Sequence, residues 1–162
     1  MPLVFAYGSN LLRARIAERV PGVVIRGRAY LPGRRLCFRK RSRDGSGKAD
    51  LQPTGRPEDR VWGVLHAMSE DERRGLDAHE PGYALEDLVV YREDHTQVRA
   101  VTYLAEPAHH DGDLVPFNWY LALVVHGARE QGLPPDYTRV IEAMRSQPDP
   151  DAGRAQRHRA LL

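Results

Sequence analysis

Leu3-Val4-Phe5-Ala6-Tyr7-Gly8-Ser9-Asn10-Leu11-Leu12 runs from a short β-prone stretch through a glycine into helix-capping residues. Gly8 lets the backbone turn sharply and approach a ligand closely. Ser9 or Asn10 offers an N-cap to a helix over about 11–19, which the Pro21-Gly22 pair ends. At such a strand-to-helix junction the amides of Ser9, Asn10 and Leu11 can point outward, where the helix dipole favours an anion or a developing oxyanion. A plain glycine turn with a capping side chain fits the same spacing, so the segment alone leaves both readings open.

Outward from this junction the chain mixes strands and helices. Strands are expected over 23–30, 35–39, 61–67, 88–92 and 98–104, with Pro32-Gly33 between the first two. Residues 42–57 carry Asp44-Gly45, Ser46-Gly47, Pro53 and Pro57 and read as a mobile loop with glycines enough to close over a pocket. Ser69 and Glu72 have capping-box spacing for a short helix to about Asp77. The clearest helix carries Leu121, Val124, Val125 and Ala128 at i, i+3, i+4 and i+7, between Asn118 and Gly132. Pro135 opens another, with Tyr137, Val140, Ile141 and Met144 as its stripe. Residues 148–162 are polar, proline-broken and arginine-rich, and read as a loose tail after a domain spanning 1–147. Without regular βαβ alternation, the pattern is that of an α+β domain with a mixed or barrel-like sheet.

Composition narrows the function class. With 162 residues, 41% hydrophobic and 28% charged, the chain fits one ordinary globular domain. No apolar run is long enough to span a bilayer, and no basic n-region with an apolar segment marks a signal peptide. The single cysteine, Cys37, excludes an internal disulfide or a multi-cysteine metal site. A cytoplasmic address without membrane association is the simplest expectation. Arginines cluster over 34–43, a pattern that can contact phosphates. Leu36 and Phe38 alternate with those charges, so a solvated strand face is preferred and no nucleic-acid partner is expected. His109, His110, Asp111 and Asp113 crowd one polar loop and suit a solvated loop better than a preformed metal site.

A second segment with chemical potential is Leu76-Asp77-Ala78-His79-Glu80-Pro81-Gly82-Tyr83. A carboxylate between a helix end and a Pro-Gly turn, flanked by Leu76 and Tyr83, can sit in a partly apolar pocket, which raises its pKa toward the range of a group that takes and returns a proton. By itself this does not separate Glu80 from the other acidic residues.

Taken together, FAYGSNLL at 5–12, Val61-Trp62-Gly63-Val64, Leu76-Asp77 with Glu80, and Gly127-Ala128-Arg129-Glu130-Gln131-Gly132-Leu133-Pro134 with Tyr137 resemble the ordered landmarks of γ-glutamylcyclotransferases, the AIG2-like group. The resemblance covers about residues 3–144. It implies a mixed-sheet small β-barrel with surrounding helices and a cavity at its mouth. It also implies that Tyr7, Gly8, Ser9, Asn10 and Leu11 hold a γ-glutamyl group, that Glu80 is the catalytic acid–base, and that Tyr83, Tyr103 and Tyr120 line the pocket. The implied reaction is cyclisation of the γ-glutamyl group to 5-oxoproline, with a small-molecule partner and no cofactor or metal. A non-catalytic binding module of the same fold and, less favoured, nucleic-acid binding through 34–43 are the alternatives. A homodimer is left open.

Overall fold

The computed structural model describes all of residues 1–162. Seven strands form: β1 (Leu3–Ala6), β2 (Val24–Pro32), β3 (Arg34–Arg41), β4 (Gly47–Pro53), β5 (Arg60–Ala67), β6 (Tyr83–Tyr91) and β7 (Gln97–Ala105). Five close into a barrel in the order β1-β5-β2-β6-β7. Its seam is the one parallel pairing, β1 with β7 at Val4 and Val101, and the other pairings are antiparallel. Strands β3 and β4 make a separate hairpin. Around them lie α1 (Arg13–Arg19), α2 (Glu70–Asp77), α3 (Asn118–Glu130), α4 (Pro135–Glu142) and α5 (Ala152–Arg159). This is the α+β barrel with surrounding helices that the sequence implied.

Helix α3 is the largest packing element. Trp119, Leu123, Val124 and Ala128 are almost completely buried, and covering one such leucine or valine contributes about 1.5–3 kcal/mol. Gly127 brings α3 against the turn after β1: a Cβ there would lie 2.5 Å from the Leu12 nitrogen. The helix thus fixes the 7–12 segment from behind. In front, α2 begins with the expected capping box, Glu72 N–H donating to Ser69 Oγ (3.1 Å) and Ser69 N–H to Glu72 Oε2 (2.8 Å).

Three expectations change. The 42–57 stretch is largely ordered: Asp44-Gly45 turns the chain, with Gly45 at φ +83°, and β4 then pairs with β3. Ala49 and Leu51, buried at 3% and 0% exposure, anchor that strand; only two apolar positions among polar residues give little periodic signal. Secondly, β6 begins at Tyr83 and stays in register with β7 to Tyr91. Leu85 and Val89 on it are exposed, which blurs the alternation.

Thirdly, residues 148–162 are no loose tail. Asp151 caps α5 by accepting from Arg154 N–H at 2.9 Å. The covered carboxylate of Asp149 takes Arg154 Nε (2.7 Å) and Trp119 Nε1 (2.8 Å), and His158 stacks on Trp119 at 3.8 Å between ring centres. The segment belongs to the same packed body because a partly buried ion pair and an aromatic stack replace the missing apolar stripe.

Candidate active site

The chain leaves β1 at Ala6, and Ser9–Leu11 form one 3-10 turn before α1 rather than entering the helix directly. Leu11 N–H donates to Gly8 O (3.1 Å) and Leu12 N–H to Ser9 O (3.2 Å). The amides of Gly8, Ser9 and Asn10 make no hydrogen bond within the protein. All three residues line a small cavity open to solvent on one side. Gly8 permits this: a Cβ there would come within 2.9 Å of the Ala49 Cβ and 3.4 Å of Tyr120 Oη. Leu11 does not join the site. Its side chain is fully buried in the core and its amide is spent on the turn.

Glu80 reaches the same cavity from the turn after α2, whose backbone is held by Glu80 N–H to Asp77 O (3.0 Å) and Tyr83 N–H to Glu80 O (3.2 Å). Its carboxylate is only 13% exposed. Asn10 Nδ2 donates to Glu80 Oε1 at 3.0 Å, and Arg19 lies 3.7 Å from the same oxygen. Burial pushes the Glu80 pKa upward, while Arg19, the Asn10 hydrogen bond, Arg15 and Lys40 pull against that rise. A carboxylate under these opposed influences is suited to proton transfer in both directions.

Four tyrosines complete the walls: Tyr7, Tyr83, Tyr103 and Tyr120. The Tyr7 hydroxyl donates to the Tyr103 carbonyl. Tyr83 donates to Ala49 O (2.6 Å), while Tyr120 Oη accepts from Ala49 N–H (3.1 Å) and keeps its own proton to give. Burial raises the pKa of all four, so each is a neutral phenol. Tyr103 directs its hydroxyl to Asp77 at 2.6 Å, and presents the cavity with its ring.

The fold therefore brings together Tyr7, Gly8, Ser9, Asn10, Glu80, Tyr83, Tyr103 and Tyr120 from β1, α2, β6, β7 and α3 or their flanking turns, and leaves Leu11 outside. The AIG2-like family profile matches residues 60–141. A mouse protein named gamma-glutamylcyclotransferase is 30% identical over 88% of this chain and 78% of its own length. The human protein of that name is 29% identical over the same shares. A solved structure of a gamma-glutamyl cyclotransferase superposes with a TM-score of 0.81 at 28% identity, covering 90% of this chain and 88% of the other.

The chain belongs to the AIG2-like, γ-glutamylcyclotransferase family. Several residues at this family member's cavity escape a reading of motifs. Ala49 sits on the strand hidden in the expected loop and meets both Tyr83 and Tyr120. His66, fully buried, donates through Nε2 to Asn10 O at 2.9 Å; as the one polar side chain in an apolar strand run it left a legible mark. Arg19 binds Asn10 Oδ1 at 2.9 Å, from a helix face that looks solvated in the sequence. Within 34–43, Arg39 pairs with Asp50 (2.6 Å) and Arg41 with Asp111 (2.8 Å). Lys40 is buried beside the Tyr83 ring. No helix is long and apolar enough to cross a membrane.

Proposed function

We propose that this protein cyclises a γ-glutamyl group to 5-oxoproline, with Glu80 as acid–base. The observation that carries the reading is the meeting of the buried Glu80 carboxylate with Asn10 at 3.0 Å, beside a loop whose Gly8, Ser9 and Asn10 amides are free. A γ-glutamyl amide contains its own nucleophile, the α-amine, so a cavity that folds it back on the γ-carbonyl gains the benefit of an intramolecular attack. Effective molarities for well-oriented reactions of this kind reach about 10⁵–10⁸ M.

The α-amine arrives as an ammonium ion and Glu80 takes one proton from it. The freed nitrogen attacks the γ-carbonyl carbon, and the carbonyl oxygen becomes an oxyanion facing the free loop amides. The ring nitrogen then releases its second excess proton to solvent as the bond to the departing nitrogen breaks. Glu80 delivers the proton it holds to that nitrogen, and the amine takes a further one from solvent to become an ammonium ion. No water enters the products and no redox change occurs.

The test is to incubate the protein with γ-glutamyl amino acids and γ-glutamyl amines and identify the acid released. The reading requires 5-oxoproline in step with the free amine. Glutamate in its place would mean hydrolysis rather than cyclisation and would overturn the mechanism.

A further inference from the structure

A carboxamide has one end that only accepts and one that only donates, and its partners decide which is which. Arg19 carries donors alone, so the Asn10 atom facing it at 2.9 Å is Oδ1 and Nδ2 is the atom turned to Glu80. The Asn10 main chain is held separately, through His66 Nε2 to Asn10 O at 2.9 Å. What remains for Arg19 to set is the direction of the side-chain amide. Resting on the acid–base reading of Glu80, we propose that Arg19 is a positioning residue that locks the Asn10 amide with its amino end toward Glu80, so that Glu80 enters each turnover as a carboxylate.

The alternative orientation has a defined consequence. With the amide turned over, Oδ1 would face Glu80, and two oxygens can share a hydrogen bond only if the glutamate is protonated. A protonated Glu80 cannot take the first proton from the substrate ammonium. Arg19 therefore selects the reactive protonation state through a neutral neighbour. Its guanidinium, 3.7 Å from Oε1, is beyond hydrogen-bond length but also favours the carboxylate directly by its charge; removing Asn10 leaves that direct part in place and takes away the part that runs through the amide.

Other charged groups face Glu80 and set the background. Arg15 on α1 and Lys40 on β3 both favour the carboxylate. The Tyr7, Tyr83, Tyr103 and Tyr120 phenols feel the Glu80 charge from the remaining walls. The pKa of His79, next in the chain and exposed, is lowered by partial desolvation, with Arg19 and Arg15 adding to the effect. None of these groups holds the Asn10 amide, so the proposal separates Arg19 from them by a double-mutant comparison.

The experiment is a carbon NMR titration of the Glu80 side-chain carboxyl, assigned by its loss in Glu80→Gln, in wild type, Arg19→Met, Asn10→Ala and the double variant. Arg19→Met should move the Glu80 titration to higher pH, and Arg19→Lys should restore most of the displacement. In the Asn10→Ala background, removing Arg19 should move it by less than half as much. An equal displacement with and without Asn10, or none in either, overturns the proposal. If Arg19→Met melts below the assay temperature, Arg19→Leu, which likewise carries no donor, supplies the same comparison. The titration needs no turnover, so it decides this point even if the protein releases no 5-oxoproline. Where it does, kcat at neutral pH should fall about 10–100-fold in Arg19→Met, the order expected for a misplaced catalytic group, and recover as pH rises.

Discussion

Asn10 and Glu80, seventy positions apart in the chain, are joined by a 3.0 Å hydrogen bond from Nδ2 to Oε1 at the wall of one cavity. That contact links the turn after β1 to the turn after α2 and makes one site of two weak sequence signals. The burial of the Glu80 carboxyl, which outweighs this hydrogen bond, fixes the sign of a stability effect. Burial raises the Glu80 pKa above its unfolded value despite the opposing cations. The folded state is then favoured below the unfolded pKa, and that contribution is lost as pH rises through the folded pKa. Glu80→Gln removes the cost of an ionised buried carboxyl, so at neutral pH it should melt no lower than wild type. Thermal unfolding at pH 5 and pH 8 checks this, with the variant gaining on wild type at the higher pH.

Tyr120→Phe should cost both fold and rate. Its oxygen accepts from the Ala49 amide, and removing it leaves that buried N–H unpaired, a loss of about 1–3 kcal/mol. The same hydroxyl lines the cavity and has a proton to donate, so turnover should fall as well. Denaturant unfolding and steady-state kinetics on one preparation check the pair of effects.

Gly8→Ala should be worse than an alanine usually is on a surface turn. The new methyl would meet the Ala49 side chain at 2.9 Å and crowd Tyr120. Overpacking of this sort costs about 1–3 kcal/mol, and it narrows the cavity that Gly8, Ser9 and Asn10 line. Turnover should drop more than melting temperature suggests, measured against Gly45→Ala, where nothing lies within 4 Å but the positive φ is strained.

The C-terminal segment should give a distinct acid response. Burial, with Arg15 and Lys48 nearby, lowers the His158 pKa to about 4. Arg15 donates to its Nδ1 at 2.9 Å and the ring stacks on Trp119, so the neutral form is the one that fits. A lowered folded pKa means this contribution is present above the unfolded histidine value, about 6.5, and is lost as pH falls toward about 4. His158→Phe should flatten that part of the stability profile, as chemical denaturation across pH 4–7 would reveal.

How much was legible follows from what each residue interacts with. The capping box at Ser69 and Glu72, the α3 stripe and the proline opening α4 are local signals, and each appears where its chemistry puts it. Strand β4 was not legible because its order comes from pairing with β3 and from tyrosine hydroxyls reaching it from β6 and α3. Helix α5 was hidden for the same reason: Asp149, Arg154 and His158 look solvated until Trp119 is placed beside them. At the site, Glu80 and the 7–10 loop were readable only through family resemblance. Arg19 lay among many arginines on what looked like an outer helix face, and its partner Asn10 identifies it only in three dimensions.

The most direct measurement is 5-oxoproline release from the best γ-glutamyl substrate by wild type and Glu80→Gln, both verified as folded. The account predicts turnover by wild type and a loss of more than about 1,000-fold in the variant, beyond the usual 100–1,000-fold for a single oxyanion donor, because one group serves two proton transfers. Equal turnover by the two proteins would contradict it and move the acid–base elsewhere in the cavity.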